Sequence, residues 1–67
     1  MIDVVINGTP ESIAAPMSVA ALLAGRELTG KRIAVERNGD IVPRSRHAET
    51  FIVAGDRIEI VVAVGGG

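Results

Sequence analysis

The chain has 67 residues, of which 48% are hydrophobic, and a formal net charge of −1 at pH 7, so we expect one domain with a modest aliphatic core. The absence of cysteine excludes disulfides and thiolate metal sites, while the near-neutral charge and a single aromatic residue argue against a nucleic-acid partner. Because no targeting segment and no apolar run of membrane length is visible, we expect a cytoplasmic protein without a membrane partner.

The N-terminal segment predicts a β-hairpin. Ile2, Val4 and Ile6 recur at every second position, which is typical of a strand with one buried face. Asn7-Gly8 is the strongest short signal for a hairpin turn, because both residues tolerate a positive φ. The return strand is expected around residues 11–14.

A short helix is predicted after Ser18, a residue type that caps helices because its hydroxyl accepts a hydrogen bond from a free backbone N–H. Val19, Leu22 and Leu23 follow with helical spacing and form one apolar stripe. Gly25 is predicted to follow the last helical residue, where glycine readily adopts the left-handed conformation. So short a helix is not stable alone, so it must pack on a sheet.

The C-terminal half predicts a second hairpin and a long last strand. Ile33 and Val35 begin a strand, Asn38-Gly39 forms a turn, and Ile41-Val42 makes the return. The last strand is the clearest, because aliphatic residues alternate along residues 58–64. One helix among these strands indicates an α+β fold, with the helix on one sheet face and the first and last strands central.

The polar segment between these strands, residues 44–50, is predicted to be irregular, with room for one helical turn. We expect His47 to be an exposed loop residue, because no partner for a catalytic base or a metal ligand is identifiable. Asp56 is expected in a turn, which its residue type favours. An extended segment cannot direct both Phe51 and Ile52 into the core, and the sequence leaves open which one points inward.

The chain ends on Gly65, Gly66 and Gly67, directly after the last strand. Glycine costs the most backbone entropy to order, so a folded domain gains nothing from three of them there. A chain without Cβ atoms fits a narrow channel, and three residues reach roughly 10 Å. We therefore predict a domain over residues 1–64 and a flexible tail over residues 65–67. The tail fits either an ordinary frayed terminus or a segment that presents the Gly67 carboxylate for chemical activation.

Three apolar residues are predicted on the sheet face opposite the helix: Val5, Val61 and Ala63. An exposed apolar cluster near the tail fits a docking surface for a partner. The same residues also fit an ordinary surface on which apolar side chains are scattered singly or covered by a loop. Both interpretations stay open.

Three segments add to the order of elements: Ile41-Val42-Pro43-Arg44, the turn and strand over residues 55–60, and the ending Ala63-Val64-Gly65-Gly66-Gly67. Together with that order they resemble the ThiS family, the sulfur carriers of thiamine biosynthesis. The resemblance covers essentially the whole chain. It implies a β-grasp, ubiquitin-like fold, with a mixed sheet of four to five strands and one helix packed on one face. Gly66 and Gly67 match the family's diglycine, and Gly65 is an extra glycine before it.

The same resemblance implies a carrier that is not itself an enzyme and binds no cofactor. A ThiF-type adenylyltransferase would activate Gly67 with ATP, and a sulfurtransferase or persulfide would convert the adenylate to a thiocarboxylate. Thiazole synthase would then take the sulfur. Two alternatives stay open: a carrier of the molybdopterin-synthase type or of another sulfur pathway, and a ubiquitin-like modifier or interaction module.

Overall fold

The computed structural model describes residues 1–63. Its strands are β1 (Ile2–Ile6), β2 (Thr9–Ile13), β3 (Met17–Ser18), β4 (Ile33–Arg37), β5 (Asp40–Val42), β6 (Phe51–Ile52) and β7 (Arg57–Val62). The helix α1 spans Val19–Gly25, and a single 3-10 turn spans Arg44–Arg46.

Five strands form one mixed sheet in the order β2-β1-β7-β4-β5. β7 lies at the centre, parallel to β1 and antiparallel to β4, so the predicted central position of the first and last strands is confirmed. β3 and β6 pair separately as a two-residue ladder, which the sequence analysis missed because so short a pairing has no periodicity. With α1 on one face of the mixed sheet, the predicted α+β, β-grasp architecture is confirmed.

The core lies between α1 and one face of the sheet. Its strand residues come from alternate positions, because neighbouring side chains in a strand point to opposite faces. The buried hydrophobic residues are Val4, Ile6, Ile13, Val19, Leu22, Leu23, Val35, Val42, Ile52, Ile58 and Ile60. Ile52 is 3% exposed and Phe51 is 50% exposed, so Ile52 is the residue of this pair that points into the core.

Both predicted hairpin turns have positive φ at their two central residues. The φ angles are 50° at Asn7 and 80° at Gly8, and 52° at Asn38 and 87° at Gly39. Such turns match the right-handed twist of the strands that they join. The first return strand begins at Thr9, two residues before the predicted start, because pairing with β1 continues up to the turn.

The first three backbone N–H groups of α1 each have a hydrogen-bond acceptor outside the helix. The Ala21 N–H donates to Ser18 Oγ at 3.0 Å, which confirms the predicted N-cap. The Val19 and Ala20 N–H groups donate at 2.9 Å to backbone oxygens of Thr50 and His47 in the loop before β6. Since a helix start leaves these donors without intrahelical partners, the loop and the cap together fix where α1 begins.

The end of α1 differs from the prediction. Gly25 is the last helical residue, and Glu27 adopts the left-handed conformation with φ of 60°. The Glu27 N–H donates to Ala24 O at 3.0 Å and the Leu28 N–H donates to Leu23 O at 2.9 Å, the pattern of a Schellman motif. The prediction for Gly25 was wrong because Leu28 packs against the core, which sets the end of the helix by a tertiary contact.

Substitution at the end of α1 is expected to stabilise the protein. Gly25→Ala raises helix propensity, and no atom lies within 4 Å of the added Cβ, while Glu27→Gly removes a side chain from a left-handed residue. We expect each change to raise the free energy of unfolding by about 0.5–1 kcal/mol, measured by urea denaturation. Gly39→Ala is the control: its Cβ also meets no atom, but its φ of 87° is strained for alanine. A stabilisation by Gly39→Ala would contradict the conformational argument.

Candidate functional site

The predicted reactive end of the chain, Gly67 with the lead Gly65 and Gly66, lies outside the described residues. Its role therefore stays a prediction. The structure describes the segment from which the tail extends, residues 62–63, here called the tail root. The Ala63 N–H donates to Arg32 O at 2.9 Å, and Val62 pairs with Ile33 in the sheet. The tail root is thus attached to the beginning of β4.

The strand that leads to the tail root is held on both of its edges. β4 pairs with β7 along its length on one side. On the other side the β1–β7 ladder runs only to Ile6 and Ile58, and the Asn7 side chain replaces the next backbone partner. Asn7 Oδ1 accepts from the Ile60 N–H at 2.7 Å, and Asn7 Nδ2 donates to Ile60 O at 3.3 Å. Asn7 was predicted only as a turn residue, and this second role has no local sequence signal.

The three predicted docking residues do not form one patch. Val5 and Val61 lie on strand positions that face away from α1, and Ala63 follows the last residue of β7. Val61 is 61% exposed and pairs with Ala34 near the tail root, and Ala63 is exposed two positions further on. Val5 is half-buried and pairs with Arg57. This puts Val5 about 13 Å from Val61 along the sheet, at the rise of a β-strand. The apolar surface beside the tail root is therefore Val61, Ala63 and Ala34, and its docking role stays a prediction.

The same sheet face, here called the open face, includes positions that the sequence analysis did not single out. Ile41 is 71% exposed, and Glu36 lies opposite both Ile41 and Glu59 in the sheet register. The two ion pairs found among residues 1–63 include neither Glu36 nor Glu59. Because like charges on facing strands destabilise a sheet, this pair of glutamates is unfavourable for the fold. The position of Glu36 could have been predicted from the sequence, because alternation in β4 places Val35 in the core and therefore Glu36 on the opposite face.

Asp56 is buried, with 4% of its surface exposed, just before β7. Its carboxylate accepts hydrogen bonds from Arg37 Nε at 2.7 Å, Asn38 Nδ2 at 3.0 Å and the Val53 N–H at 2.9 Å. Burial by itself raises the pKa of Asp56, but the hydrogen bonds from Arg37, Val53 and Asn38 outweigh it and hold the pKa below its ordinary value. The predicted turn position is confirmed, and the ion pair additionally ties the second hairpin to the start of β7.

His47 is buried, with 8% exposed, so the prediction of an exposed loop histidine was wrong. Its Nε2 lies 3.0 Å from Val42 O. A carbonyl oxygen only accepts, so Nε2 carries a proton and donates it in a hydrogen bond to Val42 O. The ring is buried because the 3-10 turn, closed by the Arg46 N–H donating to Pro43 O at 2.8 Å, folds the chain back over the end of β5.

A cleft of about 240 Å³ lies beside the segment that holds the tail root. We call it the tail-root cleft. Its apolar walls include Leu23, Leu28, Ile33 and Ala48, and its two cationic residues are Lys31 and Arg44. Arg44 Nη2 donates to Lys31 O at 3.2 Å, which joins the segment after β5 to the segment before β4. No sequence pattern predicted this cleft, because its walls come from three separate parts of the chain.

Residues 1–63 contain neither a metal-binding cluster nor a membrane-spanning helix. That part of the chain contains no group of three or more His, Cys, Asp or Glu side chains arranged to hold a metal ion. It also contains no helix that is long and apolar enough to cross a membrane. The surfaces that these residues offer beside the tail root are the open face and the tail-root cleft.

Residues 4–67 match the model of the ThiS family. The sulfur carrier protein ThiS of Bacillus subtilis (strain 168) is 42% identical over 50 residues, which are 75% of this chain and 76% of that protein. The crystal structure of a thiamine biosynthesis protein (ThiS) from Geobacter metallireducens matches with a TM-score of 0.83 and 28% sequence identity, over 98% of this chain and all of that one (100%).

A longer relative matches as well. The thiazole synthase of Paramagnetospirillum magneticum is 44% identical over 63 residues, which are 94% of this chain but 19% of that protein. This chain therefore spans about a fifth of the length of that relative. A segment similar to nearly all of this chain thus occurs within a much longer polypeptide.

Proposed function

The chain belongs to the ThiS family, and we propose that it is a sulfur carrier of thiamine biosynthesis that holds its cargo as a thiocarboxylate at Gly67. The observation that carries this proposal is the family match, which continues through the glycine ending up to Gly67. The attachment of Ala63 to Arg32 supports it, because it fixes where the tail leaves the sheet. In this proposal the chain is a substrate of its partner enzymes and not a catalyst.

A carboxylate is a weak electrophile, so the proposed chemistry begins with its activation. A Gly67 carboxylate oxygen attacks the α-phosphorus of ATP in a ThiF-type adenylyltransferase, pyrophosphate leaves, and an acyl-adenylate forms. The terminal sulfur of a persulfide, supplied directly or by a sulfurtransferase, then attacks the carbonyl carbon and displaces AMP. The product is an acyl disulfide between the donor and Gly67. A second thiol attacks the donor sulfur of that acyl disulfide, forms a disulfide with it and releases the thiocarboxylate. ATP is used by the partner, so this chain binds no cofactor.

The proposed acceptor of the sulfur is thiazole synthase. Support comes from the thiazole synthase of Paramagnetospirillum magneticum, in which a segment similar to 94% of this chain is part of the same polypeptide. A carrier and an acceptor that work on one intermediate gain effective concentration when they are linked. We propose the cytoplasm as the compartment, since the activation step consumes ATP.

Intact mass spectrometry tests the proposed function. The protein is incubated with ATP, a ThiF-type enzyme and a persulfide donor, and the expected product has one oxygen of Gly67 replaced by sulfur. Conjugates of higher mass would instead support a ubiquitin-like modifier. Transfer of the sulfur to molybdopterin synthase and not to thiazole synthase would support the other carrier class. An unchanged mass with active partner enzymes would contradict all of these tail-based functions.

We further propose that the partner enzymes contact the apolar part of the open face beside the tail root. Val61→Asp is expected to lower the rate of thiocarboxylate formation about tenfold or more at limiting carrier, because docking would bury an unpaired charge. Val61 is 61% exposed, so the fold should persist. Val53→Asp is the matched control, since Val53 is 52% exposed and lies outside this surface. Equal rates for the two variants would contradict the proposed docking.

A further inference from the structure

The tail-root cleft lies next to the segment from which the tail extends, because Ile33 both lines the cleft and pairs with Val62. The neighbouring Arg32 O accepts from the Ala63 N–H at 2.9 Å. Residues 64–67 span at most about 14 Å even when fully extended. An active site that holds Gly67 therefore brings the surrounding enzyme surface close to the cleft.

The size and walls of the cleft restrict what it can hold. Its volume of about 240 Å³ is smaller than the roughly 300–1,000 Å³ of typical small-molecule sites. Leu23 is 6% exposed at the floor, and the half-buried Leu28 and Ile33 supply apolar walls. These dimensions suit one apolar side chain better than a nucleotide or a cofactor.

The charges at the cleft restrict its occupant further. Lys31 and Arg44 are both exposed cations. The two ion pairs found among residues 1–63, Arg26 with Glu11 and Arg37 with Asp56, include neither of them. The hydrogen bond from Arg44 Nη2 to Lys31 O uses one of the five guanidinium N–H donors and holds the group at the cleft. The complementary occupant has carboxylates.

We propose that the tail-root cleft receives an apolar side chain flanked by carboxylates, presented by the enzyme that adenylates Gly67. This inference rests on the proposed function, since it is the insertion of Gly67 that brings the enzyme to this place. It adds a second contact surface, which is separate from the open face and formed by the helix side of the domain. The apolar anchor supplies affinity, and the opposite charges speed and orient the encounter.

Charge reversal at Lys31 tests the electrostatic part. In ATP–pyrophosphate exchange catalysed by the ThiF-type enzyme, Lys31→Glu should raise the KM for the carrier about tenfold with little change in kcat, and the effect should shrink at high salt. Arg46→Glu is the matched control, because Arg46 is also an exposed cation outside both ion pairs but does not line this cleft. An equal increase in KM for both variants would show a general charge effect and overturn the proposal.

Filling the cleft tests the apolar part. Ala48 is exposed and lines the cleft, so Ala48→Trp should raise the KM with no dependence on salt while the melting temperature stays near that of the wild type. If the wild type is adenylated and neither Lys31→Glu nor Ala48→Trp changes the KM, the cleft proposal is wrong and the proposed function stands. A wild type that is never adenylated overturns both. Sedimentation of the chain alone tests a second copy of the chain as the occupant. If the wild type forms a dimer and Ala48→Trp dissociates it, the cleft is a contact between two copies and the proposal is wrong.

Discussion

Removal of Gly66 and Gly67 is expected to abolish thiocarboxylate formation while the domain keeps its fold. The proposed reactive carboxylate would be withdrawn by about 7 Å, at 3.3–3.6 Å per extended residue. A misplacement of about 1 Å at a reacting group already costs on the order of 100-fold in rate. The core residues all lie between Val4 and Ile60, so thermal unfolding should be unchanged. Intact mass spectrometry in the presence of ATP, the activating enzyme and a persulfide measures the loss.

The third glycine allows a sharper version of this experiment. Deletion of Gly67 alone leaves Gly65-Gly66 as the ending, so the diglycine is kept and only the reach is shortened, by about 3.5 Å. We expect a loss of about 100-fold or more. Gly65→Ala, which keeps both the length and the terminal pair, is the control and should lose far less. Full conversion of the chain that lacks both Gly66 and Gly67 would refute Gly67 as the site of activation.

Replacement of Asp56 by alanine is expected to lower the free energy of unfolding by about 2–3 kcal/mol. The change leaves the Val53 N–H, Asn38 Nδ2 and Arg37 without their shared acceptor. This loss is at or below the lower end of the roughly 3–5 kcal/mol for a broken buried ion pair. The reason is that the Arg37 side chain is 32% exposed, so water partly replaces its lost partner. Urea denaturation at neutral pH measures the effect. Asp40→Ala, at an exposed carboxylate, should change stability by less than about 0.5 kcal/mol.

The stabilisation by Asp56 is expected to depend on pH in a definite direction. Its pKa is lower in the folded protein than its ordinary value, so between the two pKa values the unfolded chain binds more protons than the folded one. The contribution is therefore complete above about pH 4, near the unfolded pKa, and is lost as the pH falls through the folded pKa. Asp56→Asn removes this titration. A stability difference between wild type and Asp56→Asn that stays constant down to pH 2 would contradict the lowered pKa.

Features that depend on neighbouring residues could be predicted from the sequence. Period-two alternation identified β1 and β7 and assigned Val4 and Ile58 to the core, because a strand directs alternate side chains to one face. Asn38-Gly39 predicted a turn with positive φ, since these residue types tolerate it at low cost. Ser18 predicted the start of α1 for an equally local reason, the reach of its hydroxyl to the first helical turn. The glycine ending and the family resemblance supplied the proposed site.

Contacts between distant parts of the chain decided the rest. Alternation placed Val5 and Val61 on one face, but only the order of strands and the register separated them by four positions along β7. The burial of His47 depends on the carbonyl of Val42 and on the path of the chain after Pro43.

The tail itself is determined by the sequence, down to the number of its glycines. The surroundings of the tail root are not determined in this way. The tail-root cleft is formed by α1, the segment before β4 and the segment after β5, which are distant in the sequence. Local periodicity assigns a residue to a face of its own strand or helix, whereas the neighbours that it meets across the fold depend on packing between elements. Only the tertiary structure therefore places cationic and apolar side chains beside the point where the tail leaves the domain.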